Sequence, residues 1–377
     1  MLIKEIKAEK IPDSRGEQTI KVLVDGVAAS SPSGKSTGKY ETKSYNTSLD
    51  FAIEEINHLN FNFEITKFED LKKVENFICK KYHFKTARQF GANALFALES
   101  AILKALAKSK NKQLWQIVSP KAKVLPVPVG NAIGGGLHSS RFKVRPVFQE
   151  FLIIPNEKTF KENVATMRKV YDEVGKILKA EEKNDEGAWH AAIHNRQALD
   201  ILEKFKDKIK IGLDVAASSF FKNESYNYKT NVLSRESQIQ YMNSLVEKFD
   251  IYYLEDPLQE EDFMGFSLIK QKHLVVGDDL TATQIQRLKE AIKHGSINAM
   301  IIKPNQNGSL LELKKVFDLC KANNIKTILS HRSGETMDAS IADYAFAFGA
   351  DFIKCGISTA FREAKLRRMI EIESSLR

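Results

Sequence analysis

The sequence predicts an α/β protein in which a (β/α) barrel follows a smaller α+β domain. Six short apolar runs each end in a charged or metal-binding side chain, and consecutive end residues lie 23 to 41 positions apart. This spacing leaves room for one strand, one helix and two loops in each repeat, as in a (β/α) barrel. Because the strand carboxyl ends of such a barrel carry its chemistry, the end residues are also candidate site residues: Asp214, Glu255, Asp278, Lys303, His331 and Lys354.

The first part of the chain is predicted to form the small α+β domain. Residues 20–24 and 27–29 are apolar runs that flank Asp25-Gly26, a pair that favours the positive φ angles of a tight hairpin turn. Two later groups of apolar residues recur at a helical period, so helices should pack on the hairpin sheet. These groups are Phe51, Ile53, Ile56 and Leu59, and then Leu95, Leu98, Ile102 and Leu106.

The boundary between the two parts is predicted where the helical pattern stops. Pro126 and Pro128 force extended backbone there. We therefore expect an N-terminal domain over residues 1–122 and a barrel over residues 123–377. Within the barrel, residues 164–178 and 310–320 have the apolar period of amphipathic helices, and Asn323-Asn324 should end the second.

Length and composition indicate a soluble cytoplasmic protein. The 377 residues can hold a barrel of roughly 250 residues beside a small domain. The cysteines, Cys79, Cys320 and Cys355, have no metal-binding or redox spacing. The start of the chain lacks the apolar segment of a secretory signal, and we expect no membrane span.

The net charge of +9 suits an anionic substrate and permits weak contact with nucleic acid. The lysines are spread along the chain, however. A solvated basic surface is therefore favoured over a nucleic-acid site.

Three carboxylates should converge at the mouth of the barrel. Asp214, Glu255 and Asp278 end three consecutive proposed strands, where they would repel one another unless a divalent cation neutralised them. Ligation by oxygen alone suits Mg²⁺. The alternative for each residue taken singly is an ordinary helix N-cap, because acidic side chains favour the positive end of a helix.

Two lysines and one loop extend this site. Lys303 and Lys354 also end strands, and a lysine held among cations loses its proton more readily, so one could be a base and the other a clamp for a substrate carboxylate. The alternative is that each lysine pairs with the acidic cluster. The segment 330–336 offers imidazole, guanidinium and hydroxyl donors on one loop, which should hold a phosphate.

Two motifs are rejected. Residues 33–37 end like a phosphate-binding P-loop, but Ala29 stands in place of its first glycine and no apolar helix follows directly. His190 and His194 have the spacing of a zinc pair, but Ala191 stands where the metalloprotease motif has glutamate. We expect ordinary histidines.

Together these motifs closely resemble those of the enolase family, in the same order from about Asp13 to Arg362. The resemblance implies an enolase-type (β/α)8 TIM-like barrel with an antiparallel start, a small N-terminal capping domain and a homodimer. It also implies two Mg²⁺ ions and the reversible dehydration of 2-phosphoglycerate to phosphoenolpyruvate, a reaction of glycolysis and gluconeogenesis. The residues that carry it are 13–16, 32–38, 149–151, 214–218, 255–257, 277–281, 330–336, Lys303 and Lys354.

The resemblance also implies a role for each site residue. Asp214, Glu255 and Asp278 would hold the first Mg²⁺, and Ser36 would help to hold the second. Lys303 would be the base that removes the C2 proton, and Glu186 would protonate the departing C3 hydroxyl. The substrate would be bound by His138, Glu150, His331, Arg332, Ser333 and Lys354, with Glu150 supporting Glu186, Lys354 stabilising the enolate and His138 on a closing loop.

The chain departs from the family pattern mainly in loops. Residues 184–188 read Asn-Asp-Glu-Gly-Ala where the family has Gly-Asp-Glu-Gly-Gly, and residues 354–356 read Lys-Cys-Gly where it has Lys-Thr-Gly. Lys35 replaces a small residue beside Ser36, where it could add positive charge near the phosphate.

Two other functions stay open on the sequence. A related dehydratase or ammonia lyase would use the same metals and base without phosphate, and the 330–336 loop argues against it. A catalytically weak paralogue that binds RNA or a cell-surface partner is permitted by the pI near 9.1. The presence of every expected metal-binding side chain does not favour that paralogue.

Overall fold

The N-terminal domain is a three-stranded antiparallel sheet covered by helices. We describe residues 1–35, 38–229, 231–270 and 272–376 from a computed structural model. The strands of this domain are β1 (Ile6–Pro12), β2 (Gln18–Val24) and β3 (Val27–Ser30), and its helices are α1 (Leu49–Asn57), α2 (Leu71–Tyr82), α3 (Ala92–Ser109) and α4 (Leu114–Val118). The predicted hairpin is confirmed, since β2 pairs with β3 across Asp25 and Gly26, which have φ angles of 47° and 73°.

The predicted helices of this domain form, but one residue was assigned wrongly to the buried face. In α1 the buried residues are Ala52 and Ile56, which are one helical turn apart. Phe51, which we placed on the apolar face, is 39% exposed because it lies one position away from that stripe. The long helix α3 is buried along nearly its whole length and packs on β2 and β3.

The second part of the chain alternates strands and helices. Its strands are β4 (Val127–Gly134), β5 (Glu150–Pro155), β6 (Ile209–Asp214), β7 (Phe221–Lys222), β8 (Ser225–Tyr228), β9 (Asn231–Leu233), β10 (Tyr253–Glu255), β11 (Leu274–Gly277), β12 (Ala299–Ile302), β13 (Lys326–Ser330) and β14 (Phe352–Lys354). Its helices are α5 (Phe160–Leu178), α6 (Asn195–Leu202), α7 (Arg235–Phe249), α8 (Phe263–Phe266), α9 (Ile285–His294), α10 (Pro304–Asn307), α11 (Leu310–Ala322), α12 (Ser340–Phe348) and α13 (Ala360–Ser375).

Within the described residues, eight of these strands close into a barrel in the order β10, β11, β12, β13, β14, β4, β5, β6. β5 runs antiparallel to both β4 and β6, whereas the other neighbours are parallel. The antiparallel start implied by the resemblance is therefore present. The barrel is filled by buried aliphatic side chains such as Val129, Leu152 and Ile301.

The longest gap between strand ends has a structural cause. A separate antiparallel sheet of β7, β8 and β9, followed by α7, lies between β6 and β10. This sheet was not predicted from the sequence, because its strands are only two to four residues long and carry little periodicity.

The two remaining helix predictions are confirmed. α5 buries Val164, Met167, Tyr171 and Val174. α11 ends at Ala322 beside Asn323, whose N–H bonds back to Cys320 O. No described helix is long and apolar enough to cross a membrane.

Candidate active site

A cavity of about 270 Å³ opens at the carboxyl ends of the barrel strands, below a loop of the N-terminal domain. Every predicted site residue in the described part of the chain lies at this cavity or in contact with a residue that lines it. Its lining includes Lys35, Glu41, His138, Glu150, Glu186, Asp214, Asp256, Asp278, Asp279, Lys303, His331, Arg332, Ser333 and Lys354.

Strand register brings three of the carboxylates into a row. Glu150 on β5 and Glu255 on β10 both lie opposite Asp214 on β6. The Lys354 ammonium, which β14 places at the same level, contacts all three at 2.7 Å from Glu150, 2.8 Å from Glu255 and 3.3 Å from Asp214. All four residues are buried, so these charges interact with little screening by solvent.

Asp278 joins the cluster directly after β11. Its Oδ2 accepts a 2.5 Å bond from the Lys303 ammonium, and its Oδ1 has no hydrogen-bond partner among the described residues. Asp256 and Asp279, which we had not assigned, each place an oxygen within 4.8 Å of Asp278. Asp256 also accepts hydrogen bonds from the N–H groups of Asp278 and Asp279.

Burial and mutual repulsion raise the pKa values of several of these carboxylates. Burial, with repulsion from Asp214, raises the pKa of Glu255 well above its usual range. Burial and the neighbouring Asp278 raise the pKa of Asp279 to about 7. The two lysines thus do not relieve all the repulsion among these carboxylates, which outnumber them. Together with the unpartnered Asp278 oxygen, this all-oxygen donor set fits a hard divalent cation.

Lys303 and Lys354 both pair with acids of the cluster, as the alternative interpretation of the sequence predicted. Despite burial, Asp278 raises the pKa of Lys303, and Glu150 and Glu255 raise that of Lys354 well above its usual range. The lowering of a lysine pKa by bound cations stays a prediction. Neutralisation of Asp278 would weaken the pairing that keeps Lys303 protonated.

A second group of acids surrounds His138. Its Nδ1 lies 3.2 Å from Asp185 and 3.6 Å from Glu186. Although burial opposes the charge, Glu186 and Asp185 raise the pKa of His138 to about 9, so its imidazole is charged at neutral pH. Burial raises the pKa of Glu150 to about 7, whereas His138 lowers that of Glu186. The Glu150–Glu186 pair can therefore hold one proton near neutral pH.

The 330–336 loop carries the basic side of the cavity. The Arg332 guanidinium makes a two-pronged ion pair with Glu41, at 2.9 and 3.1 Å. The Ser333 hydroxyl accepts bonds from Arg15 Nη1 at 3.2 Å and from the Lys35 N–H at 2.9 Å. Burial and nearby cations lower the pKa of His331 well below its usual range, so this imidazole is neutral.

Ser36 lies outside the described residues, so its contact with a metal stays a prediction. His190 stacks on Phe142 with ring centroids 3.4 Å apart, and His194 precedes α6.

Some residues of the site were not predicted from the sequence. Glu41 and Asp185 were missed because their partners are distant in sequence. Asp256 and Asp279 could have been found, because each directly follows a predicted metal ligand, in Glu255-Asp256 and Asp278-Asp279.

Comparison with known proteins agrees with this geometry over almost the whole chain. Enolase N-terminal domains match residues 3–118, and enolase C-terminal TIM barrel domains match residues 122–377. The chain belongs to the enolase family. Enolases are hydro-lyases, and this chain is an enzyme of that class.

Full-length relatives support the same assignment. The enolase of Archaeoglobus fulgidus is 36% identical over 399 residues, which cover 99% of this chain and 97% of that protein. The enolase of Picrophilus torridus is 34% identical over 99% of both chains. The enolase of Methanocorpusculum labreanum is 36% identical over 98% of both chains.

Proposed function

We propose that this enolase interconverts 2-phosphoglycerate and phosphoenolpyruvate, with Lys303 as the base and Glu186 as the acid. One observation carries the proposal. A single cavity is lined by both of these residues, by the acidic cluster and by the Arg332 and Ser333 loop. The substrate has a carboxylate, a phosphate and a weakly acidic proton on C2. The metal bound by the acidic cluster would bind the carboxylate, the Arg332 and Ser333 loop would bind the phosphate, and Lys303 would remove the proton.

Asp214, Glu255 and Asp278 would hold one Mg²⁺, and Ser36 would contribute to a second. Mg²⁺ bound there would offset the charge of the acids and stabilise the doubly charged enolate of the substrate carboxylate. The fit depends on the unpartnered Asp278 oxygen and on the excess of negative charge described above.

The side chains divide the two proton transfers between them. Lys303 removes the C2 proton, and the electron pair of the C–H bond moves into the carboxylate to form an enolate. Lys354 supplies positive charge beside that enolate. As the C3–O bond breaks, the one proton held by the Glu150–Glu186 pair passes through Glu186 to the leaving hydroxyl, which departs as water and leaves both carboxylates ionised.

The remaining residues bind and enclose the substrate. Arg332 and Ser333 would hold the phosphate, whose oxygens match a guanidinium in a two-pronged geometry and would take the place of the Glu41 carboxylate. The neutral imidazole of His331 lines the pocket, and the charged His138 lies on a loop that would close over it.

Exchange of the C2 hydrogen separates the two proton-transfer roles. In heavy water, Lys303→Ala should lose both dehydration and incorporation of deuterium at C2 of 2-phosphoglycerate. Glu186→Gln should lose dehydration and retain exchange, because Lys303 can still form and reprotonate the enolate. Mass spectrometry of recovered 2-phosphoglycerate distinguishes them. Persistent exchange in metal-loaded Lys303→Ala would assign the base to another residue.

We further propose that the enzyme is a cytoplasmic homodimer acting in glycolysis or gluconeogenesis. In it, residues 1–122 would form a capping domain over the barrel of residues 123–377. The full-length similarity to enolases supports this organisation. Sedimentation equilibrium should give twice the chain mass of 42.6 kDa, and a single-chain mass at micromolar concentration would contradict the dimer.

A further inference from the structure

Lys35 joins three segments at the mouth of the cavity. Its backbone N–H donates to the Ser333 hydroxyl at 2.9 Å. Its ammonium lies 2.7 Å from Asp185 Oδ2 and donates to the Leu137 carbonyl at 3.2 Å. The side chain therefore extends from the N-terminal domain to two loops of the barrel. The ammonium that we expected near the phosphate is paired with an acid at the rim.

The loop that carries Lys35 is fixed on both sides. Before it, the N–H groups and carbonyls of Ser33 and Gly334 exchange hydrogen bonds of 2.7 and 3.0 Å. After it, Tyr40 bonds to Glu261, and the Arg287 guanidinium stacks 3.7 Å from the Tyr40 ring centroid. The described residues on both sides of Lys35 are therefore held against the barrel, and the Lys35 ion pair adds a further contact.

Asp185 relays this contact to the reacting groups. Its other oxygen, Oδ1, lies 3.2 Å from His138 Nδ1, and it precedes Glu186 in the chain. The Lys35 pair thus connects the loop of the N-terminal domain to the side chain that would close the pocket and to the proposed acid. Both oxygens of Asp185 must keep their places for the two contacts to coexist.

We propose that Lys35 is a positioning residue that latches the mouth of the cavity closed over bound substrate. This inference rests on the proposed function for its kinetic consequence. The two side chains are 39% and 19% exposed, so the pair is weakened by salt. An ion pair with this exposure typically shifts an equilibrium by about twofold to fivefold. The latch therefore adds affinity for substrate while still allowing product to leave.

The kinetic experiment compares Lys35→Met, Lys35→Arg and a matched control. Lys326→Met removes an ion pair of the same 2.7 Å length, with Asp351, at the amino end of a barrel strand. At low salt, Lys35→Met should raise the Michaelis constant for 2-phosphoglycerate by about twofold to fivefold with little change in turnover. Lys35→Arg should restore the wild-type value. Lys326→Met should match wild type, and high salt should bring wild type close to Lys35→Met.

An unchanged Michaelis constant in Lys35→Met at low salt would overturn the latch. So would an equal increase in Lys326→Met, because the effect would then not belong to the cavity mouth.

Hydrogen–deuterium exchange tests the latch without catalysis. In the absence of substrate, Lys35→Met should exchange faster than wild type in peptides covering 34–40 and 136–141, and Lys326→Met should not. If wild type proves inactive on 2-phosphoglycerate while this difference persists, the proposed function fails and the latch stands. If the enzyme is active and exchange is unchanged at both segments, the latch fails alone.

Discussion

Single carboxylates set the charge of the cavity, and Asp278 contacts the proposed base while keeping one oxygen for a metal ion. One of its oxygens accepts from Lys303 and the other has no described partner. The same residue therefore faces both the proposed base and the proposed metal. Neighbouring carboxylates are buried against Lys354, whose ammonium already donates to both oxygens of Glu255.

Replacing Asp278 by Asn keeps its shape and removes its charge. We expect activity to require a divalent cation. Asp278→Asn should raise the Mg²⁺ concentration that gives half of the maximal activity by at least about tenfold, because loss of even a residue that only supports a metal ligand lowers metal affinity by about tenfold or more. Turnover should also fall, because the enolate charge is less well compensated. Titration with Mg²⁺ after chelator treatment measures both, with the surface variant Asp318→Asn as control. Full activity in excess chelator would end the metal assignment.

Residue types at strand ends could be read from the sequence, but their partners could not. Asp214, Glu255, Asp278, Lys303 and Lys354 reach the cavity because a barrel strand fixes where its last side chain lies. Contacts such as Glu41 with Arg332 join positions 291 residues apart. No local pattern encodes such a contact, because it depends on how the N-terminal domain sits on the barrel.

At the scale of elements, helix α5 positions the segment that carries Glu186. The Tyr171 hydroxyl donates to Gly187 O at 2.6 Å, and the Trp189 indole N–H donates to Tyr171 O at 2.9 Å. The two rings stack with centroids 5.0 Å apart. Gly175, on the next turn of the helix, leaves the space that the indole fills.

Gly175→Ala tests this packing. Alanine favours helix over glycine, but its Cβ would lie 2.5 Å from Trp189 Cε2, so the indole must move. We expect destabilisation by about 1–3 kcal/mol, typical of overpacking, with a shift in tryptophan fluorescence and a lower turnover. Urea unfolding and steady-state kinetics measure these changes, and Lys176→Ala on the exposed face is the control. A more stable and fully active Gly175→Ala would show that α5 does not hold this segment.

Some helices could be predicted from the sequence pattern, but some strands and their directions could not. α5 and α11 were predicted from apolar residues at a helical period, because a single stripe faces the barrel. β1 was missed although it pairs with β2 along its whole length, since its burial is only partial and its pattern weak. The antiparallel β5 came from the resemblance alone, because strand direction follows from connections that periodicity does not record.

For the whole molecule, the two domains meet at the start of α11. Glu99 on α3 is completely buried, and its Oε2 accepts from the Leu310 N–H at 2.7 Å. Glu75 on α2 accepts from the Ser309 hydroxyl at the same helix end. Two acids of the N-terminal domain thus cap a barrel helix, where the helix dipole favours negative charge. Burial still dominates for Glu99 and, with Glu75 nearby, raises its pKa well above the usual range.

This raised pKa makes domain docking sensitive to pH. Above the unfolded-state value of about 4.5, the folded protein keeps a proton on Glu99 that the unfolded chain has lost, so stability falls as pH rises. Glu99→Gln keeps an acceptor for the Leu310 N–H and removes the titration. We therefore expect its stability advantage over wild type to grow between pH 5 and pH 7.5, measured by urea unfolding at each pH. Glu54→Gln, on the exposed face of α1, is the control. An advantage that is constant with pH, or a Glu99→Gln variant less stable than wild type at pH 7.5, would show that Glu99 is ionised in the folded enzyme.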